Sequence, residues 1–328
     1  MNKTLINMND TITAIHGIKV GHAHYEEALT GCTVILLEKN CVVGVDVRGG
    51  NPGDYNVSCF QGTTTVESAD AIFFSGGSWF GLDVAKGVTQ YLVEKGKGWD
   101  TGFGILPCVT GAIIFDLAVA KPGIRPDAKL GYAAAANASN QPVAEGNVGA
   151  GIGATVGKLL GMDRCMKGGV GSSVIALDNG LCVGALAVVN SLGNVFDPKT
   201  GKTIAGTRTK DGRGFIEAED SRFGLGRIEK NTTLGIVATN AMLSYKQVTK
   251  MAEMAQDGIA RCIRPSHTTL DGDLIYAVAT STFEGKFIFD YVAHLASDQM
   301  TKAIIRGVRK AKSVGFIPGL GDSSAKSN

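Results

Sequence analysis

Nine glycines fall between Gly146 and Gly171, in the run GNVGAGIGATVGKLLGMDRCMKGGVG. So dense a segment does one of two things. It lets backbones cross at distances that no β-carbon permits, or it turns N–H groups toward an anion. A P-loop requires G-x-x-x-x-G-K-[ST], but with Gly157-Lys158 as its end, Ile152 stands at the first glycine and Leu159 at the hydroxyl position. A dinucleotide fingerprint requires a strand just before the glycines, and ASNQPVAE is not one. The run therefore points to close packing, with N–H groups facing a developing anion as the further expectation.

Composition agrees with a buried chain. The 328 residues hold 45 glycines but only 8 prolines, 44% hydrophobic and 19% charged residues, and no G-X-Y period, which excludes collagen and disorder. The net charge of +2 and the lack of a basic stripe argue against nucleic acid; the cluster Arg306 to Lys312 suits the carbonyl end of a helix. Seven scattered cysteines without C-x-x-C spacing favour a reducing compartment. MNKTLINMNDTIT has no apolar signal-peptide region, and Gly102 to Ala120 contains Pro107 and Asp116. A cytoplasmic protein without membrane association is expected.

The pattern opens β-rich, with strands expected at Ile12–His22, Cys32–Leu37, Val42–Val47 and Ala71–Phe74. A helix to about Glu94 follows, carrying Leu82, Ala85, Val88 and Leu92 on one face. Ser172–Leu177 and Leu181–Val189 flank Asp178-Asn179-Gly180, a hairpin signal. Residues 197–230 read as a polar, exposed connection, and SSAKSN as a frayed tail. Thereafter the order is β-α-β-α. Thr232–Thr239 is β-branched, Ser244-x-x-Gln247 is a capping box, Leu274–Ala279 is a strand, and Asp290–Lys310 is an amphipathic helix.

Two motifs suggest metals without completing a site. His22-x-His24 lacks further ligands beyond His16, His267 and His294, and Asp271-Gly-Asp273 lacks the rest of a calcium loop. No metal is expected. The junction Asn231-Thr232-Thr233, where the polar connection meets a buried strand, permits two readings. Two β-branched residues simply open a strand, or the Asn231–Thr232 bond is cut. Cutting would join nucleophile and base in one residue, since a free α-amine with a pKa near 8 takes the hydroxyl proton.

The chain resembles the P1-family peptidases, the autoprocessed L-aminopeptidase/D-esterase and β-peptidyl aminopeptidase group (peptidase family S58). Eight landmarks in order carry the resemblance from about Ile18 to Val308: KVGHAHYEEALTGCTVILLE, DVRGGNPG, SGGSWFGLDVAKGV, PCVTGAIIFDL, GNVGAGIGATVGK, GALAVVNSLGNV, NTTLGIVATNA and RPSHTTLDGDLIYAVAT. HYEE with TGCTVI, and NTT with DGD, look most like the nylon-oligomer (6-aminohexanoate-oligomer) endo-hydrolase branch.

The resemblance implies an α/β fold, a four-layer αββα sandwich of the N-terminal-nucleophile-hydrolase-like type. It implies one domain over residues 1–328, autocleaved into 1–231 and 232–328, with tetramers of the cleaved heterodimers. By resemblance Thr232 is the nucleophile freed after Asn231, Asn190 helps hold the oxyanion, Lys158 lines the site, and Asp271 and Asp273 position the hydroxyl and the new amine. Phe115 stands where the nylon hydrolases carry a tyrosine, and Phe115 and Trp79 are the expected pocket walls. The implied activity is amide hydrolysis of small peptides, peptide amides or ω-amino-acid oligomers, without a cofactor. Two alternatives stay open: an acyltransferase of the ornithine acetyltransferase-like type, and an uncleaved, non-catalytic oligomeric binding protein.

Overall fold

The computed structural model describes residues 9–39, 41–216 and 230–322. Ten strands build two sheets. They are β1 (Ile18–Tyr25), β2 (Thr30–Leu37), β3 (Val42–Val47), β4 (Asp54–Tyr55), β5 (Ala71–Ser75), β6 (Val109–Ile113), β7 (Val170–Ala176), β8 (Cys182–Asn190), β9 (Thr232–Thr239) and β10 (Leu274–Ala279). The first sheet runs β1-β2-β5-β6-β4 and the second β7-β8-β9-β10-β3. Most neighbours are antiparallel; β5 with β6 and β9 with β10 are parallel.

The alternation of side chains across each strand decides what the sheets cover. In β9, Leu234, Ile236 and Ala238 face a core shared with Ile35, Ile72, Phe74 and Ala112 of the first sheet, while Val237 faces the other way. Tyr276 and Phe74 pack ring to ring across this inter-sheet core at 6.3 Å. The Tyr276 hydroxyl, buried there, has its partner at 2.8 Å in Thr110 of β6.

Helices cover the outer faces. α1 (Val84–Glu94) and α2 (Ala128–Ala136) bury Ala85, Val88, Leu92, Leu130 and Ala134 against Val34, Phe73 and Val109 of the first sheet. α3 (Tyr245–Ala260) and α4 (Phe289–Lys310) bury Val248, Met251, Ala255, Val292, Met300 and Ile304 against Val183, Ala185, Val237 and Ala277 of the second. The result is the expected four-layer αββα sandwich. The capping box at Ser244 and Gln247 is formed, and Gly180, with φ +88°, turns the hairpin into β8.

Some elements differ from expectation. Residues 12–14 form a turn of 3₁₀ helix rather than strand, because Ile12 and Thr13 sink into the core end-on while strand pairing begins only at Ile18. Within the polar connection, Thr203–Ala205 pairs with Asn194–Phe196, which in turn pairs with Ile263–Arg264; residues 217–229 of that connection, and the tail at 323–328, lie outside the described residues. Arg306 is not a helix-end charge in solvent: it forks onto Glu145 and Asp10, both at 2.6 Å. All seven cysteines are unpaired, and among the described residues no helix is long and apolar enough to cross a membrane.

Candidate active site

The junction between residues 231 and 232 lies in the sandwich, at the first residue of β9. Thr232 pairs across the antiparallel ladder with Asn190, the last residue of β8. On its other side Asn231 bridges Asp271, in the loop that feeds β10. Parallel pairing of β9 with β10 thus brings the Asp271-Gly272-Asp273 turn beside the Asn231–Thr232 peptide. Thr232 is 3% exposed and Asn190 fully buried.

Among the described residues, the Asn231 carbonyl oxygen has two donors. It accepts the Gly272 N–H at 2.9 Å, and the Thr232 hydroxyl donates to it as well. A backbone N–H aimed at a carbonyl is what stabilises the oxygen as negative charge grows on it. The Gly272 N–H is the member of this site that sequence reasoning missed; the signal was the glycine between the two aspartates.

Asn190 is fixed at both ends of its amide. Oδ1 accepts from Thr155 N and Lys158 Nζ, each at 3.0 Å, and Nδ2 donates to the Phe115 carbonyl at 3.1 Å. Lys158 Nζ also donates to the Asn190 carbonyl at 3.0 Å. An NH₂ group carries two hydrogens, so Nδ2 retains one for a further acceptor. Lys158 reaches this place because Gly157 turns the chain with φ +70° against the backbone of Gly206 and Thr207, where a side chain would collide.

Both carboxylates are buried and well supplied with donors. Asp273 Oδ1 accepts the Thr233 N–H at 2.6 Å, and Oδ2 accepts the His267 N–H at 3.0 Å. Asp271 Oδ2 accepts from Thr268, 3.1 Å from N and 2.5 Å from Oγ1, and Oδ1 accepts from Leu192 N at 3.4 Å. Burial, and then the charge of Asp273, push the Asp271 carboxyl up to about 6.

The two expected pocket residues are placed differently. Phe115 contributes its main-chain oxygen to Asn190, a contact that a tyrosine at this position would make equally. Trp79 is 67% exposed, and the Lys230 ammonium stands over its ring at 5.3 Å, two residues ahead of Thr232. Behind Asn190 lies a part of the site that the sequence did not announce. Lys167 is buried and donates to the Ile152 and Ala154 carbonyls at 2.8 and 2.6 Å, steadying the strand that carries Thr155. Asp116, next to Phe115, is buried and accepts from Gly77 N and Thr30 Oγ1, each at 2.7 Å. Burial pulls the Lys167 ammonium down to about 7 and pushes the Asp116 carboxyl up.

Most N–H groups of the glycine run are spent within the protein, and its close backbone contacts mark it as packing. The N–H groups of Gly146, Gly151, Gly157, Gly161 and Gly168 all donate to backbone carbonyls, and that of Gly149 donates to His24 Nδ1. His22 Nδ1 is 2.9 Å from Thr33 Oγ1. Among the described residues no group of three or more His, Cys, Asp or Glu is arranged to hold a metal ion.

The sequence model of Peptidase family S58 matches residues 10–319. The chain belongs to Peptidase family S58. As a member of this peptidase family it is an amide-bond hydrolase. An uncharacterized aminopeptidase of Mycobacterium leprae (strain TN) is 37% identical over 94% of this chain and 92% of its own length. A 6-aminohexanoate-oligomer endohydrolase of Kocuria sp. (strain KY2) is 30% identical over 82% of this chain and 74% of its own. Two solved structures share the S58 chain's fold at low identity. The Burkholderia sp. beta-aminopeptidase has a TM-score of 0.71 at 21% identity, covering 96% of this chain and 92% of that one. The L-aminopeptidase D-Ala-esterase/amidase from Ochrobactrum anthropi, described as a variant of the Ntn hydrolase fold, has a TM-score of 0.72 at 17% identity, covering 94% and 89%.

Proposed function

We propose that this protein is a self-processing hydrolase in which Thr232, once exposed as an N-terminal residue, opens amide bonds of small peptides, peptide amides or ω-amino-acid oligomers. The observation that carries the reading is the Thr232 hydroxyl lying on the carbonyl of the peptide bond before it, with the Gly272 N–H on the same oxygen at 2.9 Å. In the precursor, Thr232 Oγ attacks the Asn231 carbonyl carbon. The C–N bond then breaks, the hydroxyl proton passes to the departing nitrogen, and an ester links Asn231 to Oγ. Water cleaves the ester, leaving a carboxylate on Asn231 and a free amine on Thr232.

In the mature enzyme the same hydroxyl attacks the substrate amide, and the α-amine takes its proton. The second Nδ2 hydrogen of Asn190 faces the developing oxyanion, Lys158 holds the Asn190 amide, and Asp271 and Asp273 orient the Thr232 end of β9. The acyl-enzyme is hydrolysed by water. No step calls for a cofactor. The functional unit is the cleaved pair 1–231 and 232–328, assembled as a homo-oligomer.

Denaturing electrophoresis with intact mass, followed by assay on amino-acid p-nitroanilides and linear 6-aminohexanoate oligomers, tests this. For a chain of 34.1 kDa, the proposed bond yields fragments of roughly 24 and 10 kDa, the smaller beginning at Thr232. A single full-length band, or a fragment beginning elsewhere, overturns the assignment.

A further inference from the structure

His267 turns both of its faces to one carboxylate oxygen. Its backbone N–H donates to Asp273 Oδ2 at 3.0 Å, and its ring Nδ1 stands 3.0 Å from the same atom. It does so at φ +57°, a left-handed conformation uncommon outside glycine but reached more readily by asparagine, aspartate and histidine. Both ring nitrogens are closed off from solvent, and neither makes an aligned hydrogen bond among the described residues. Nδ1 is thus close to Asp273 without being spent on it. What the ring offers is a polar edge against Oδ2, in a place closed to solvent.

The carboxylates need such a support. Asp271 and Asp273 are two residues apart and each 1% exposed. Among the described residues, His267 is the one basic side chain within 4.0 Å of either carboxylate; no lysine or arginine stands at such range. Like charges this close in a dry site oppose joint ionisation. Yet Asp273 Oδ1 must be held toward the Thr233 N–H, at 2.6 Å, for the first residues of β9 to stay in place.

We propose that His267 is a positioning residue: its imidazole packs on Asp273 Oδ2 and holds that carboxylate against the start of β9, before cleavage and after it. The inference rests on the Thr232 reading above. It gives His267 a part in both processing and turnover, exerted through Asp273 and without contact with substrate.

Two variants of the full-length protein separate this from a demand of the backbone alone. His267→Gly keeps the left-handed turn and the N–H donor but removes the ring. His267→Asn also tolerates the turn and restores an N–H near the Nδ1 position. Processing is followed by intact mass over time, and kcat and KM are measured on the best of the p-nitroanilide and oligoamide substrates, with melting temperatures alongside. The expected result is a folded His267→Gly protein whose processing rate and kcat fall about 10- to 100-fold with KM little changed, and a His267→Asn protein that recovers most of the loss. A glycine variant that processes and turns over as wild type overturns the proposal, as does an asparagine variant no better than glycine. A glycine variant that fails to fold overturns it too, by making the ring a support of the fold. If the wild type itself is uncut and inert, the Thr232 reading fails first; if the wild type is cut and active, only the His267 assignment is at stake.

Discussion

Gly272 leans directly on Thr232: a β-carbon at residue 272 would lie 2.9 Å from Thr232 Oγ1 and 2.8 Å from the Asn51 carbonyl oxygen. Glycine here leaves room for the Thr232 hydroxyl, and the same residue donates its N–H to the Asn231 carbonyl. Gly272→Ala must push the hydroxyl or the Asn51 loop aside. The expected protein is folded, destabilised by about 1–3 kcal/mol as in other overpacked cores, and largely uncut. Intact mass and thermal melting measure the two effects, and an alanine variant that cleaves at the normal rate contradicts the placement of Oγ1.

Lys167 is buried as the donor to two carbonyls, which suits a neutral amine with two hydrogens. Lys167→Met keeps the bulk. The Ala154 carbonyl still has the Gly168 N–H at 2.9 Å, but the Ile152 carbonyl loses its lysine donor. A loss of about 1–3 kcal/mol is expected from that stranded acceptor. Activity should fall further, because Thr155 then holds Asn190 less firmly. The pH response gives a second reading. With a native pKa of about 7 against 10.5 when unfolded, the unfolded chain binds more protons between those values, so stability rises with pH across that window. In denaturant titrations the methionine variant should lose this slope.

Asp271 gives the opposite sign. Its native carboxyl is raised to about 6, against 3.8 in the unfolded chain, so the folded state holds the proton more tightly. Its contribution to stability is full below about 4 and lost as the pH rises through about 6. Asp271→Asn, which cannot ionise, should flatten that fall. If the ionised form is needed to position β9, wild-type turnover should rise through the same window while stability falls, and a pH–rate profile taken with urea melts would show the two crossing.

Local chemistry was legible wherever a few residues decide the structure alone. The β-branched run Thr232–Thr239, the capping box at Ser244 and the Asn179-Gly180 turn each stand where expected. α2 went unread because its buried face is Leu130, Gly131, Ala134 and Ala135, too small to write an apolar stripe; its one clear mark is Asp127, which caps Leu130 N at 2.9 Å. Lys167 looks like a loop lysine in MKGGVG, and only the closing of the 152–156 segment over it makes it buried. The same holds for His267. Its neighbours in sequence suggest nothing, and its role depends on a left-handed turn and on Asp273, which folds back onto it. The site residues were named by resemblance. That Gly272 lies on Thr232, and that β3 from the amino-terminal half closes the sheet beside β10, are long-range facts that no short window contains.

Asn190 allows the sharpest separation of holding from catalysis. Its Oδ1 serves Thr155 N and Lys158 Nζ, while its Nδ2 serves Phe115 and, by our reading, the oxyanion. Asn190→Asp preserves shape and the two contacts to oxygen but replaces the NH₂ by a second oxygen. That oxygen meets the Phe115 carbonyl and the developing negative charge, so both interactions turn repulsive. Removing one oxyanion donor typically costs about 2.7–4 kcal/mol of barrier, a factor of about 10²–10³ in kcat. The aspartate variant should lose at least that much kcat, with KM changed far less, while remaining folded by circular dichroism. If instead KM rises and kcat holds, Asn190 binds the ground-state substrate, and the oxyanion contact must come from backbone N–H groups alone.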